Sequence, residues 1–207
     1  GGRRSTISTG STRNRRDREW EDECEPGPVR VALDVESRRV VDLRSYVGGG
    51  WRGSADRDLG EVPAAEASAF LIDLAETAPG GVAEDAIPPA ILADTPSPWR
   101  RLLAIAKNEE RPRAARQSAT FWAAQAAEEA ATAGLAEFVD SDGNRELRKH
   151  AVFALSQRPK DESVPALIRV ARTHRDPEIR RTAIFWLGQS RDPRALEYIE
   201  QVLLGPR

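Results

Sequence analysis

The sequence holds no methionine, a single cysteine, Cys24, and two histidines, His150 and His174. A lone thiol closes no disulfide within the chain, so the fold must rest on packing. Cys24 reads either as a small, partly buried thiol or as half of a disulfide whose partner lies upstream of Gly1, which would place the protein outside the cytoplasm. Flanked by Glu23 and Glu25, its thiolate is disfavoured by like charge, which argues against a nucleophile. Neither histidine has a second one at helical spacing, so a histidine-based metal set is not supported. The absence of methionine suggests a processed or trimmed piece of a longer product. No apolar run approaches the roughly 18 residues of a membrane span, and the first residues lack the apolar core of a signal peptide.

Charge of one sign is also scarce. The formal net charge is −2, and phosphate affinity needs a concentrated basic footprint, so the chain as a whole does not read as a nucleic-acid binder. Only the start is basic, with Arg3, Arg4, Arg13, Arg15, Arg16 and Arg18 against Asp17 and Glu19, and it reads as a tail. Lysine occurs only as Lys107, Lys149 and Lys160. Arginine in place of lysine, with abundant alanine, suggests a GC-rich bacterial source.

Catalytic signatures are missing as well. There is no G-x-S-x-G, phosphate loop or dinucleotide fingerprint. Gly48 to Gly50 lead into Trp51-Arg52-Gly53-Ser54, without the lysine and helix start that phosphate binding needs. Acidic neighbours such as Glu109-Glu110 and Glu128-Glu129 read as solvated faces. The expectation is a non-enzyme without cofactor.

At 207 residues the chain suits one main domain with an appendage. Residues 1–27 lack apolar periodicity. Val29, Val31, Leu33 and Val35 then alternate with polar positions, and a β-branched stretch runs from Val40 to Val47. This pattern predicts a β-hairpin over 28–50, which must pair with a further strand around Ser5 to Thr9 or lie against helices. A linker over 51–62 follows.

From Pro63 the spacing is helical, with Ala64, Ala67, Phe70, Leu71 and Leu74 on one face and Pro79-Gly80-Gly81 as a stop. Further helices are predicted at about 82–94, 97–109, 112–126, 130–140, 145–157, 161–173, 177–189 and 193–204, the first of them kinked or restarted at Pro88-Pro89. An offset of 32 aligns Arg116, Arg148 and Arg180; Ala119, Ala151 and Ala183; and Phe121, Phe153 and Phe185. It also aligns Gln125, Gln157 and Gln189, and Leu135, Leu167 and Ile199. A constant period of this length predicts an α-solenoid of antiparallel helix pairs over 63–207.

The stretch Asp176 to Gln189, D-P-E-I-R-R-T-A-I-F-W-L-G-Q, resembles the second helix of HEAT repeats, and Asn144 to Gln157 and Arg111 to Gln125 are similar to it. The short period resembles the HEAT-like, phycobilisome-lyase type, and the first residues look like the front of exported bacterial HEAT-repeat proteins. The resemblance implies a protein-binding scaffold in the periplasm or outside the cell, the cytoplasm being the alternative location. It also admits a lyase or chaperone-type factor acting on a bilin-carrier protein, or a structural segment of a longer chain. Some HEAT-repeat enzymes hold two irons on His-Glu pairs; here His150 precedes Ala151 and His174 precedes Arg175, so that activity is not carried over.

Most repeated positions have structural duties. Asp176 and Asn144 can cap helices, contributing about 1 kcal/mol each, while Ile179, Ala183, Trp186 and Leu187 form a buried stripe. The resemblance implies that the caps, Arg148 and Arg180 also form an inter-repeat ladder, the alternative being plain exposed arginines. The phenylalanines fall one residue off the stripe, each between a basic or amide residue and a glutamine: Gln117, Phe121, Gln125; Lys149, Phe153, Gln157; Arg181, Phe185, Gln189. Stacked helices would make these triplets a band that binds a peptide or protein, phenylalanine anchoring and glutamine pairing with backbone. Alternatively, each phenylalanine wedges between the two helices of its own pair. The last helix carries Leu196, Ile199, Val202 and Leu203 on one side, so it either caps the array by folding back or has lost its neighbour; its polar Arg194, Glu197, Glu200 and Gln201 favour a cap.

Overall fold

The computed structural model describes residues 27–48, 56–93, 98–141 and 143–204. The N-terminal arginines, the strand expected around Ser5 to Thr9, Cys24 and the run Trp51 to Ser54 lie outside the described residues.

Strands β1 (Val29–Glu36) and β2 (Arg39–Val47) form a two-stranded antiparallel sheet. Their two-residue turn places Ser37 at φ 48° and Arg38 at φ 64°, the left-handed geometry whose twist matches the flanking strands. Asp34 pairs with Asp42 but Val35 with Val40, leaving Val41 as an extra residue. The expected apolar row is covered only in part: Val31 and Leu33 pack against the core, whereas Val35, beside the turn, is exposed. A lone hairpin is marginal in water. This one lies against helices, held by Leu43 at 3% exposure.

The described residues contain ten helices. They are α1 (Ala64–Thr77), α2 (Gly80–Asp85), α3 (Ile87–Leu92), α4 (Trp99–Lys107), α5 (Arg113–Ala124), α6 (Ala130–Asp140), α7 (Arg145–Ser156), α8 (Lys160–Thr173), α9 (Pro177–Gln189) and α10 (Pro193–Leu204). The helix expected over 82–94 is two short ones. It restarts after Ala86 because Pro88 and Pro89, lacking amide protons, fit only a first turn. Helices α1, α2, α4, α5 and α8 each begin directly after a proline. Asn144 and Asp176 cap α7 and α9 through their side chains, accepting from the amides of Glu146 at 2.8 Å and Glu178 at 3.0 Å.

The helices pack as consecutive pairs, α4 with α5, α6 with α7 and α8 with α9. First helices α1, α4, α6, α8 and α10 form one layer, and α2–α3, α5, α7 and α9 the other, with the hairpin against α2 and α3. Between the layers runs a core that includes Leu102, Leu135, Leu155, Leu167, Ile179 and Leu187. Each such side chain contributes about 1.5–3 kcal/mol through burial.

Side chains also stitch each repeat to the previous one through backbone carbonyls. Arg111 donates to Ala78, His174 Nε2 to Val139 at 3.1 Å, and Arg194 to Lys160 at 2.9 Å. Arg158 donates to Ala124 at 3.1 Å and Glu128 at 3.0 Å, and to Ala126. Of these acceptors, Ala124 and Val139 stand in the last turns of α5 and α6, where carbonyls have no partner within their own helix.

The last helix is partly covered. Ala195 and Tyr198 are its buried residues, and Ile199 packs partly on the core, but Leu196, Val202 and Leu203 face solvent. Among the described residues, α10 packs against α8 and α9.

Candidate partner-binding face

Helices α5, α7 and α9 are neighbours in the second layer, so equivalent positions on them line up across its outer side. Phe121 and Phe153 are half-buried, and Phe185 is 57% exposed. None of the three belongs to the core.

The rings meet across repeats. Phe121 and Phe153 stack at 6.4 Å between centroids with planes 13° apart, and Phe153 lies 5.0 Å from Trp186 of the next helix. Trp186 meets Phe185 edge-on at 5.1 Å, and Trp122 meets Phe121 likewise at 5.7 Å. The result is one aromatic strip over α5, α7 and α9. Trp186, expected in the buried stripe, is only half-buried; it packs on the core by one side and carries the strip by the other. Ile179, Ala183 and Leu187 fill the stripe as expected.

Polar groups border the strip on both sides. Toward the helix N-termini lie Gln117, Lys149 and Arg181; Lys149 pairs with Glu146 at 3.2 Å and Arg181 with Glu178. Toward the C-termini lie Gln125, Gln157 and Gln189, all exposed. Gln157 donates to Ser156 Oγ at 3.0 Å. The expected residues thus share one face, rings in the middle and polar groups at the rims.

His150 was missed as part of this face. Its ring lies 5.7 Å from Phe153, and its Nε2 donates to the carbonyl of Gln117 at 3.1 Å. Burial pushes its pKa below the usual histidine value, although the bond to Gln117 acts in the opposite direction. A helix-face projection including Gln117, Phe121 and Phe153 would have found it.

The arginine column is more local than a ladder. Arg116 Nε donates to Ala106 at 2.8 Å and Arg180 to His174 at 2.8 Å, each closing the end of the first helix in its own pair. Across repeats there is a rung at Asp176, which accepts from Arg145 at 2.8 Å and lies 3.7 Å from Arg148.

His174 serves structure. Its Nδ1 accepts from the Asp176 amide at 3.0 Å while Nε2 donates to Val139. Among the described residues no group of three or more His, Cys, Asp or Glu side chains could hold a metal ion, and no helix is long and apolar enough to cross a membrane.

No curated protein matches the chain. Residues 132–207, from within α6 through α10, match the family model of HEAT repeats, helical modules that are generally protein-interaction scaffolds and typically non-catalytic.

Proposed function

We propose that the chain is a non-catalytic scaffold whose α5–α7–α9 face holds an extended segment of another protein. The observation that supports this most is the unbroken aromatic strip from Trp122 to Phe185, built on three successive repeats, whose two tryptophans pack on the core while its three phenylalanines stay outside it. Rings presented this way offer apolar anchoring at low entropic cost. The exposed amides of Gln125, Gln157 and Gln189 can both donate to and accept from a bound backbone.

The test compares wild type with a Phe121→Ala, Phe153→Ala, Phe185→Ala variant as bait in extract from the native organism, followed by direct titration of any captured protein after purification. Circular dichroism verifies that both baits are helical. A protein that binds wild type and loses about tenfold or more in affinity for the folded variant supports the reading. Equal affinity for both removes the strip as the binding surface.

A further inference from the structure

Two indoles carry the hydrogen-bonding groups of the aromatic strip. Neither Trp122 Nε1 nor Trp186 Nε1 has a partner among the described residues. The enclosed side-chain nitrogens that lack a partner there belong to Arg111 and Arg148, so both indoles reach solvent. An indole N–H donates and cannot accept, and a phenylalanine ring does neither in this sense. The five rings therefore offer a bound chain donors and no acceptor; acceptors belong to the borders of the strip, as on the glutamines and His150 Nδ1. The indole column skips one repeat, because α7 has Ala154, fully buried, at the position of Trp122 and Trp186. The two donors thus stand two repeats apart, about 16–20 Å at the usual spacing of packed helices.

Resting on the reading of this strip as a binding face, we propose that the segment it holds is proline-rich, in the polyproline II conformation, with an acidic residue on one flank. An amide proton laid over these rings would lose water and find no acceptor among them. A proline has no amide proton and escapes that cost. Its carbonyls stay free, because polyproline II makes no internal hydrogen bonds, and they match the two indole donors. Such a chain rises about 3.1 Å per residue with three residues per turn, so residues six apart face the same way about 19 Å apart. That is the separation expected of the indoles. A chain already held in this helix also loses little freedom on docking against aromatic rings. Charge places the acidic flank. Between α7 and α9 the Asp176 carboxylate takes the hydrogen bond of Arg145; one repeat earlier the equivalent residues are Asn144 and Arg113, an arginine without its carboxylate. Arg113 is exposed and has no ion pair among the described residues. It stands two turns before Phe121 on α5, so a carboxylate on the segment where it leaves the rings toward the helix N-termini supplies the missing charge.

The probes are fluorescein-labelled all-proline peptides of about nine residues, bare or with one aspartate at either end, and a control in which alternate prolines are threonine. Binding to the full chain is read by anisotropy. Saturable binding is expected, about tenfold tighter than that of the control, and weakened about tenfold by Trp122→Phe or Trp186→Phe, which keep a ring and remove the donor. One of the two aspartate peptides should bind about threefold tighter than the bare one, and Arg113→Gln should erase that advantage. Melting curves verify that each variant is folded, and Trp122→Phe decides the matter if Trp186→Phe is not. Absence of saturable binding, equal binding of the control, or indifference to the tryptophan variants overturns the proposal; an aspartate without effect overturns its acidic flank. Should a protein captured from extract lose affinity for the folded triple phenylalanine variant while the proline peptides fail to bind, the strip remains a binding face and this inference alone falls.

Discussion

Arg158 reaches across a repeat boundary to the carbonyl of Ala124, donating to it at 3.1 Å from a side chain that is 2% exposed. The same guanidinium bonds Thr132 Oγ1 at 2.8 Å and the carboxylate of Glu162 at 2.9 Å. Removing it leaves several enclosed acceptors without a donor. Arg158→Met is expected to cost about 3 kcal/mol in urea unfolding. Arg158→Lys recovers little, since an ammonium cannot reproduce the planar fork. A loss below about 1 kcal/mol would mean that water replaces the arginine at these groups.

The aromatic strip predicts unequal costs along one sequence column. Phe185→Ala removes a mostly exposed ring and is expected to change stability by less than about 0.5 kcal/mol. Phe153→Ala removes contacts with both Phe121 and Trp186 and is expected to cost about 1–2 kcal/mol. Thermal melts of the two single variants decide this. Equal losses would contradict the graded exposure.

In the hairpin, Ser37 and Arg38 hold left-handed backbone without being glycine, a conformation that costs side-chain-bearing residues about 1 kcal/mol each. A Ser37→Asn, Arg38→Gly double variant supplies the residues this turn favours. Amide exchange in β1 and β2 should slow by about fivefold. Unchanged or faster exchange would count against the turn geometry.

Asp192 gives an acid dependence. The Arg194 guanidinium, bonded to both its carboxylate oxygens, holds its pKa down to about 2. The unfolded chain takes up the proton near the ordinary value of 3.8, and the folded chain does so only at lower pH. Its contribution is therefore full above about pH 4 and lost as pH falls toward 2. Asp192→Asn should flatten the stability profile in that window. An unchanged slope there would remove Asp192 as the cause.

His150 acts at higher pH. Burial depresses its pKa from the usual 6.5, so the unfolded chain binds the proton first and stability declines as pH drops below that value. His150→Gln is expected to abolish this decline while Asp192→Asn leaves it intact. Chemical denaturation at a series of pH values separates the two.

The repeat was legible because its columns are side chains with fixed duties: Asp176 and Asn144 cap, Ala119, Ala151 and Ala183 are fully buried, and Leu135 and Leu167 fill the core. The phenylalanines could be placed on one face, since helical periodicity fixes the direction of a side chain. Periodicity did not reveal that Trp186 bridges two of them, because contact across repeats depends on how helices stack. Arg158 left no trace in the columns. Ala126 and Ser190 stand at its equivalent positions, and most of its partners are backbone carbonyls, which every residue type carries. The two alternatives at α10 stay open for a similar reason: an apolar stripe shows which side of a helix is apolar, not what covers it.

The carbonyl bonds that join the repeats connect residues 30 to 35 positions apart, among them Arg158 with Glu128 and Ala126, Arg111 with Ala78, Arg194 with Lys160 and His174 with Val139. Each therefore closes a loop of nearly the same length, and the entropy of closure grows only slowly with length. Adding a repeat to such an array imposes the same toll as the one before it, whatever the total length, and structure can nucleate at any pair and spread both ways. Under tension applied to its two ends, the array should yield one rung at a time, each step releasing about one period of chain.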